Sequence, residues 1–144
     1  MNRPCRSALY IPAANARAME KARDLPADAI IFDLEDAVAP AEKEAARGLL
    51  AAALGQDYGR RLKILRINAL ATPWGQGDAA LAATLPVDAV LLPKVGGPAD
   101  LDALAGQVSA PLWAMIETPA GVLNAAAIAA HPRLARGGDS ALPH

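Results

Sequence analysis

The chain is poor in the residues that staple or switch a small protein. Its 144 residues contain one cysteine, Cys5, which excludes an intrachain disulfide and a zinc site built from cysteines alone. It has two histidines, His131 and His144, both past residue 130. Aromatics make up only 3%, so the interior must be packed from alanine and branched aliphatics, with Tyr10, Phe32, Tyr58, Trp74 and Trp113 as rare large anchors. An excess of charge is missing too: 14 basic residues face 15 acidic ones, a net charge of -1. That balance gives no electrostatic reason to expect a nucleic acid or an anionic membrane as partner. No apolar run approaches the ~18 residues of a membrane span. The opening MNRPCRSALYIPAAN has no signal-peptide core, so a reducing cytoplasm is the expected compartment. G-x-G-x-x-G, Walker, H-E-x-x-H and G-x-S-x-G sequences are all absent, which removes the common dinucleotide, P-loop, zincin and serine-hydrolase readings.

What is present is a globular composition, 53% hydrophobic and 20% charged, with a repeating pattern: a short apolar run, a polar cluster, then an alanine-rich amphipathic stretch. The runs are Ser7 to Ile11, Ala29 to Phe32, Leu62 to Ile67, Ala89 to Leu92 and Leu112 to Ile116. They are short and several are β-branched, as buried parallel strands should be. Between them, Asn15 can cap a helix reaching about Leu25. Pro40 suits a first helical turn, where its missing N–H costs nothing. Ala46, Leu49, Leu50 and Ala53 share one helical face, as do Leu101, Leu104, Ala105 and Val108. A helix is expected from near Trp74 to Leu85, and another from Pro119 to about Ala130. Five β-then-α units in succession imply parallel strands joined by right-handed crossovers. The candidates are a (β/α)₈ barrel and an open doubly wound sheet. After Ala130 the pattern stops, with no sixth apolar run.

Charges stand at or just past the carboxyl ends of four runs: Asp33, Glu35 and Asp36; Arg66; Lys94; Glu117. In parallel α/β folds ligands bind at that edge. Glu35 and Lys94, taken singly, read as solvated. Arg66 and Glu117 sit in or against runs expected to be buried, and so require a partner, a metal or a ligand. A carboxylate pair with open positions suits Mg²⁺, which keeps waters and substrate oxygens in its shell. An arginine fork matches a substrate carboxylate. Together they suit a metal-chelated 2-oxo acid and carbon–carbon bond cleavage or formation. A structural salt-bridge network at the same rim is the competing reading.

These residues resemble the HpcH/HpaI aldolase/citrate lyase family, in its citrate lyase β-subunit-like branch. The matching stretches are Arg6-Ser7-Ala8-Leu9-Tyr10-Ile11-Pro12, Asp33-Leu34-Glu35-Asp36-Ala37-Val38 with Pro40 and Lys43, Arg66-Ile67-Asn68, Leu92-Pro93-Lys94-Val95, and Ile116-Glu117-Thr118 with Gly121. The resemblance implies an α/β TIM barrel of the phosphoenolpyruvate-binding kind, here about five βα units. It implies Mg²⁺-dependent carbon–carbon lyase chemistry on citryl, malyl or citramalyl thioesters, carried by coenzyme A or an acyl carrier protein, in a homo-oligomer. Arg66 would hold the substrate carboxylate. Glu117 would bind metal and touch substrate, and Asp36 would support them from the acidic loop. The family's second metal carboxylate follows a sixth strand; Gly137-Gly138-Asp139 resembles that turn arriving early, which makes Asp139 the candidate.

The expected organisation is a partial barrel over 1–133 and an irregular tail over 134–144. A closed barrel needs eight strands and typically ~250 residues, so the sequence reads as C-terminally truncated. That keeps a second reading open, a catalytically inactive remnant or interaction subunit. A third, a class II pyruvate aldolase, ranks lower, because such enzymes usually carry a histidine-based proton relay and both histidines here stand past Ala130.

Overall fold

A computed structural model describes residues 5–135 of the chain. Five strands, β1 (Ala8–Pro12), β2 (Ala29–Asp33), β3 (Leu62–Arg66), β4 (Ala89–Leu92) and β5 (Leu112–Ala114), alternate with helices α1 (Ala16–Ala22), α2 (Lys43–Leu54), α3 (Gly75–Ala82), α4 (Pro98–Ala105), α5 (Pro119–Leu123) and α6 (Ala125–Ala129). A short 3₁₀ turn, Pro40–Glu42, leads into α2. The local signals act as their chemistry requires. The Asn15 side chain accepts the Ala18 N–H and caps α1. Thr118 does the same for Gly121 at the start of α5, with Pro119 at the first helical position.

All strands are parallel and lie in the order β1-β2-β3-β4-β5. A doubly wound sheet reverses its strand order part-way, whereas a barrel wall never does. The faces agree with the wall. Ile30, Phe32, Leu65, Ile67, Val90 and Leu92 pack in one large core with Met19, Leu50, Leu101, Leu104 and Ile128 from the helices. The opposite face is a separate, smaller cluster of Ala29, Ile31, Ile64, Ala89 and Leu91, bordered by Leu62, Trp113 and Met115, with no helical residue in it. Every helix core residue therefore lies against one face, and the other is the concave inside of a barrel wall. Phe32, fully buried, meets the Tyr58 ring edge-on at 5.1 Å, and the Tyr58 hydroxyl donates to the Met19 carbonyl at 3.0 Å.

Several local expectations differ from the structure. The run at Leu112 keeps strand pairing only to Ala114, so Ile116 and Glu117 lie beyond the sheet. The helix expected from Pro119 to Ala130 is two helices that meet at Asn124, because Asn124 donates its side-chain amide to the Gly96 carbonyl at 2.7 Å and leaves helical geometry. Val108 is buried but lies past the end of α4. Leu134, where the irregular tail was expected to begin, forms a parallel bridge with Leu112; the Leu112 N–H donates to the Arg133 carbonyl and the Ala135 N–H to the Leu112 carbonyl.

Candidate functional site

Register brings the site together. Asp33 and Arg66 are the last residues of adjacent strands and are direct partners in the ladder. Both side chains lie on the concave face, by alternation from Ile31 and Ile64. The Arg66 Nε donates to Asp33 Oδ1 at 2.8 Å and its Nη2 to Oδ2 at 2.5 Å. Asp33 also accepts the N–H groups of Glu35 at 2.8 Å and Ala37 at 3.1 Å. Four bonds fill the roughly four lone-pair positions of a carboxylate, so this fully buried group has none left for a metal. Burial alone would raise the Asp33 pKa; the bonds from Arg66 and the two amides outweigh it and hold the carboxyl below its ordinary value. The same pairing with Asp33 holds the Arg66 guanidinium even further above neutrality than usual, against the pull of burial.

Asp33 leaves the Nη1 edge of Arg66 unengaged. The Arg66 Cζ lies 4.8 Å from the Tyr10 ring centroid, and Nη1 approaches the Met115 sulfur at 3.5 Å and Glu35 Oε1 at 3.4 Å. That Glu35 oxygen is buried and has no hydrogen-bond partner. Glu35 Oε2 is taken by the Lys94 ammonium at 2.5 Å, and Asp36 Oδ1 lies 3.7 Å from the same nitrogen. Glu35 raises the Lys94 pKa above its ordinary value, against slight desolvation. The Lys94 main-chain N–H donates to Glu117 Oε1 at 2.9 Å. A continuous chain of contacts therefore runs Asp33–Arg66–Glu35–Lys94–Glu117 along one rim.

The structure thus brings Arg66, Asp36 and Glu117 to the same edge. It corrects two burial expectations: Glu35 is buried at 6% exposure, and Glu117 is exposed because the strand ends before it. It also shows that Asp33, not a ligand, takes two of the three guanidinium nitrogens of Arg66. Asp139 lies outside the described residues.

Behind the rim is a buried polar lattice that the sequence reading missed. The Lys43 ammonium donates to the carbonyls of Leu34 at 2.9 Å and Glu35 at 2.7 Å and to Asn68 Oδ1 at 2.8 Å. The Asn68 amide donates to Leu34 O and Asp78 Oδ2, and Arg47 Nε donates to Asp78 Oδ1. Burial lowers the Lys43 pKa, with Asp78 and Asp33 partly offsetting it. A signal existed: Lys43 sits one turn before Ala46 on the buried stripe of α2, where a charge needs a reason. The lattice borders an open cavity of about 390 Å³ lined by Glu35, Asp36, Lys43, Thr72, Trp74 and Lys94.

For a divalent cation the donor chemistry is hard oxygen. Among the described residues no three His, Cys, Asp or Glu side chains converge as a metal cage. Glu117 is exposed, and among the described residues only its Oε1 accepts a hydrogen bond. One free carboxylate oxygen at a rim fits Mg²⁺, which binds through one or two carboxylates and completes its shell with water and substrate oxygens.

A family model described as HpcH/HpaI aldolase/citrate lyase matches residues 6–136. A (3S)-malyl-CoA thioesterase of Cereibacter sphaeroides is 58% identical over 133 residues, covering 91% of this chain and 47% of its own. The citrate lyase β subunit of Mycobacterium tuberculosis, solved with oxaloacetate and magnesium, superposes with a TM-score of 0.79 at 32% identity, covering 92% of this chain and 56% of that one. The protein CitE of the same organism, in complex with magnesium, acetoacetate and coenzyme A, gives 0.77 at 33% identity, covering 93% and 48%. The chain spans about half the length of the curated relatives it matches.

Proposed function

The chain belongs to the HpcH/HpaI aldolase/citrate lyase family, and from that premise we propose that it carries the carboxylate-gripping and metal-binding rim of an Mg²⁺-dependent enzyme acting on malyl-type coenzyme A thioesters. The observation that carries this reading is the Nη1 edge of Arg66, which Asp33 leaves unengaged and which lies beside the acidic loop on the rim that also bears Glu117. Asp33 fixes the guanidinium plane, so the remaining nitrogen can meet a substrate carboxylate without first being ordered, which is the advantage of preorganisation. Asp36, on the exposed shoulder of the same loop, supports the rim through Lys94. Glu117 would hold Mg²⁺, with Asp139 as the candidate second ligand. When bound, the ion supplies Lewis-acid stabilisation of negative charge on a chelated oxygen. The magnesium and oxaloacetate of the tuberculosis protein and the coenzyme A of CitE support the same ligand classes here.

The reaction proposed first is carbon–carbon cleavage of the malyl thioester, giving a 2-oxo acid and an acetyl thioester. The 58% identity to a thioesterase favours a second reading, hydrolysis of the thioester to malate and free thiol. Calorimetric titration of oxaloacetate in the presence of Mg²⁺ tests the shared site. Binding by the wild type and at least a tenfold loss on Arg66→Ala are expected; no heat from the wild type sinks the proposal. Incubation with malyl-CoA then separates the readings, since glyoxylate marks carbon–carbon cleavage and a free thiol without glyoxylate marks hydrolysis.

A further inference from the structure

Among the described residues, Lys94 is the one non-glycine residue with left-handed backbone, at φ 53°. That region crowds Cβ against the neighbouring carbonyl and is ordinarily left to glycine, aspartate or asparagine. Gly96, two residues on, does not adopt it. Strain of this kind persists where the surroundings over-determine it, and here they do. The Lys94 N–H is aimed at Glu117 Oε1, 2.9 Å away and 23 residues along the chain, while the next N–H, of Val95, is bonded to the Met115 carbonyl. Two consecutive amides thus clamp residues 115–117, the stretch that has just left β5. Lysine rather than glycine occupies the turn because its ammonium is anchored on Glu35 and reaches Asp36.

We infer that Lys94 is a positioning residue: its left-handed main chain holds Glu117 by Oε1 and so leaves Oε2 as the oxygen available to a cation or substrate. Only this last clause rests on the proposed function. An exposed glutamate three residues past a strand end is otherwise free to rotate, and a carboxylate held by one oxygen offers the other in a single orientation.

Amide hydrogen exchange on the whole chain tests the geometry without any ligand. The Lys94 amide should exchange at least tenfold more slowly in the wild type than in Glu117→Ala, with the Val95 amide unchanged as internal control. Lys94→Gly, which adopts positive φ freely, should keep the protection at position 94. Lys94→Val, whose β-branch resists that conformation, should lose it. Calorimetry with Mg²⁺ and oxaloacetate supplies the second readout, in which Lys94→Val should weaken binding at least threefold more than Lys94→Gly. Exchange at Lys94 that is indifferent to Glu117→Ala overturns the inference, as do equal binding losses in the valine and glycine variants, which would assign the role to the ammonium. If the valine variant does not fold, the comparison of wild type, glycine variant and Glu117→Ala still decides. A wild type that binds no Mg²⁺ or oxaloacetate removes the proposed function, while the exchange data continue to judge the main-chain role.

Discussion

At the scale of single residues, the rim is held by groups that no ligand needs to touch. Lys43 spends all three ammonium protons on the Leu34 and Glu35 carbonyls and Asn68, so the acidic loop owes its path to a lysine on the neighbouring helix. Lys43→Met leaves Asn68 Oδ1 without its donor and takes one donor each from the Leu34 and Glu35 carbonyls, which keep the Asn68 amide and the Val38 N–H; it should cost about 2 kcal/mol, read from urea unfolding. Asp33 carries a pH signature. Its folded pKa lies below the ordinary carboxylate value, so its contribution is fully present above the unfolded pKa, near 3.9, and drains away as pH falls through the folded value. Asp33→Asn should lower the unfolding free energy at neutral pH by about 3 kcal/mol, as for a buried pair broken on one side, and flatten the acid limb below about pH 4. Some slope should remain from Asp28, which the amide of Arg6, then the hydroxyl and amide of Ser7, hold low. Urea titrations at stepped pH check both statements.

At the scale of elements, glycine placement separates packing from propensity. A Cβ on Gly121 would run into the Val95 carbonyl oxygen, which is backbone and adjoins the Lys94 turn. Gly121→Ala should therefore cost about 2–3 kcal/mol and loosen the Lys94 amide in hydrogen exchange. Gly48 lies on the exposed side of α2 with nothing within 4 Å of a built Cβ. Gly48→Ala should stabilise by up to about 1 kcal/mol, measured as a rise in the thermal midpoint. The elements themselves were readable in the sequence, because short apolar runs, four of the five with a charge at or just past the end, leave little freedom of assignment; Ala89 to Leu92 is a strand over the range expected. Site features that depend on tertiary pairing were not. Asp33 and Arg66 each stand visibly at a run's end, but that they face one another is a matter of inter-strand register. The left-handed turn at Lys94 has no mark in Leu-Pro-Lys-Val, since a glycine is the usual sign of one. The helix break at Asn124 falls inside a uniform alanine-rich stretch and is decided by a carbonyl 28 residues away.

At the scale of the whole molecule, a wall with one covered and one bare face has consequences for association. β1 is the outer strand of the sheet, and among the described residues nothing pairs with its free side. Leu9 and Tyr10 on it are exposed. A free strand edge with apolar neighbours invites pairing with another chain, and a lysine on such an edge discourages it. Size-exclusion chromatography with light scattering should show the mass of the wild type rising with concentration, and Leu9→Lys should hold it nearer that of a single chain. No helix among the described residues is long and apolar enough to cross a membrane.

The sequential strand order also bears on how the molecule comes into being. Each strand hydrogen-bonds to the one synthesised just before it, so every strand ladder among the described residues closes as soon as the next strand has been made. Ribosomal synthesis delivers residues from the amino end at roughly 5–20 per second, slowly compared with the pairing of neighbouring segments. The nascent chain can therefore add one βα unit at a time onto a finished edge, growing like a row of tiles.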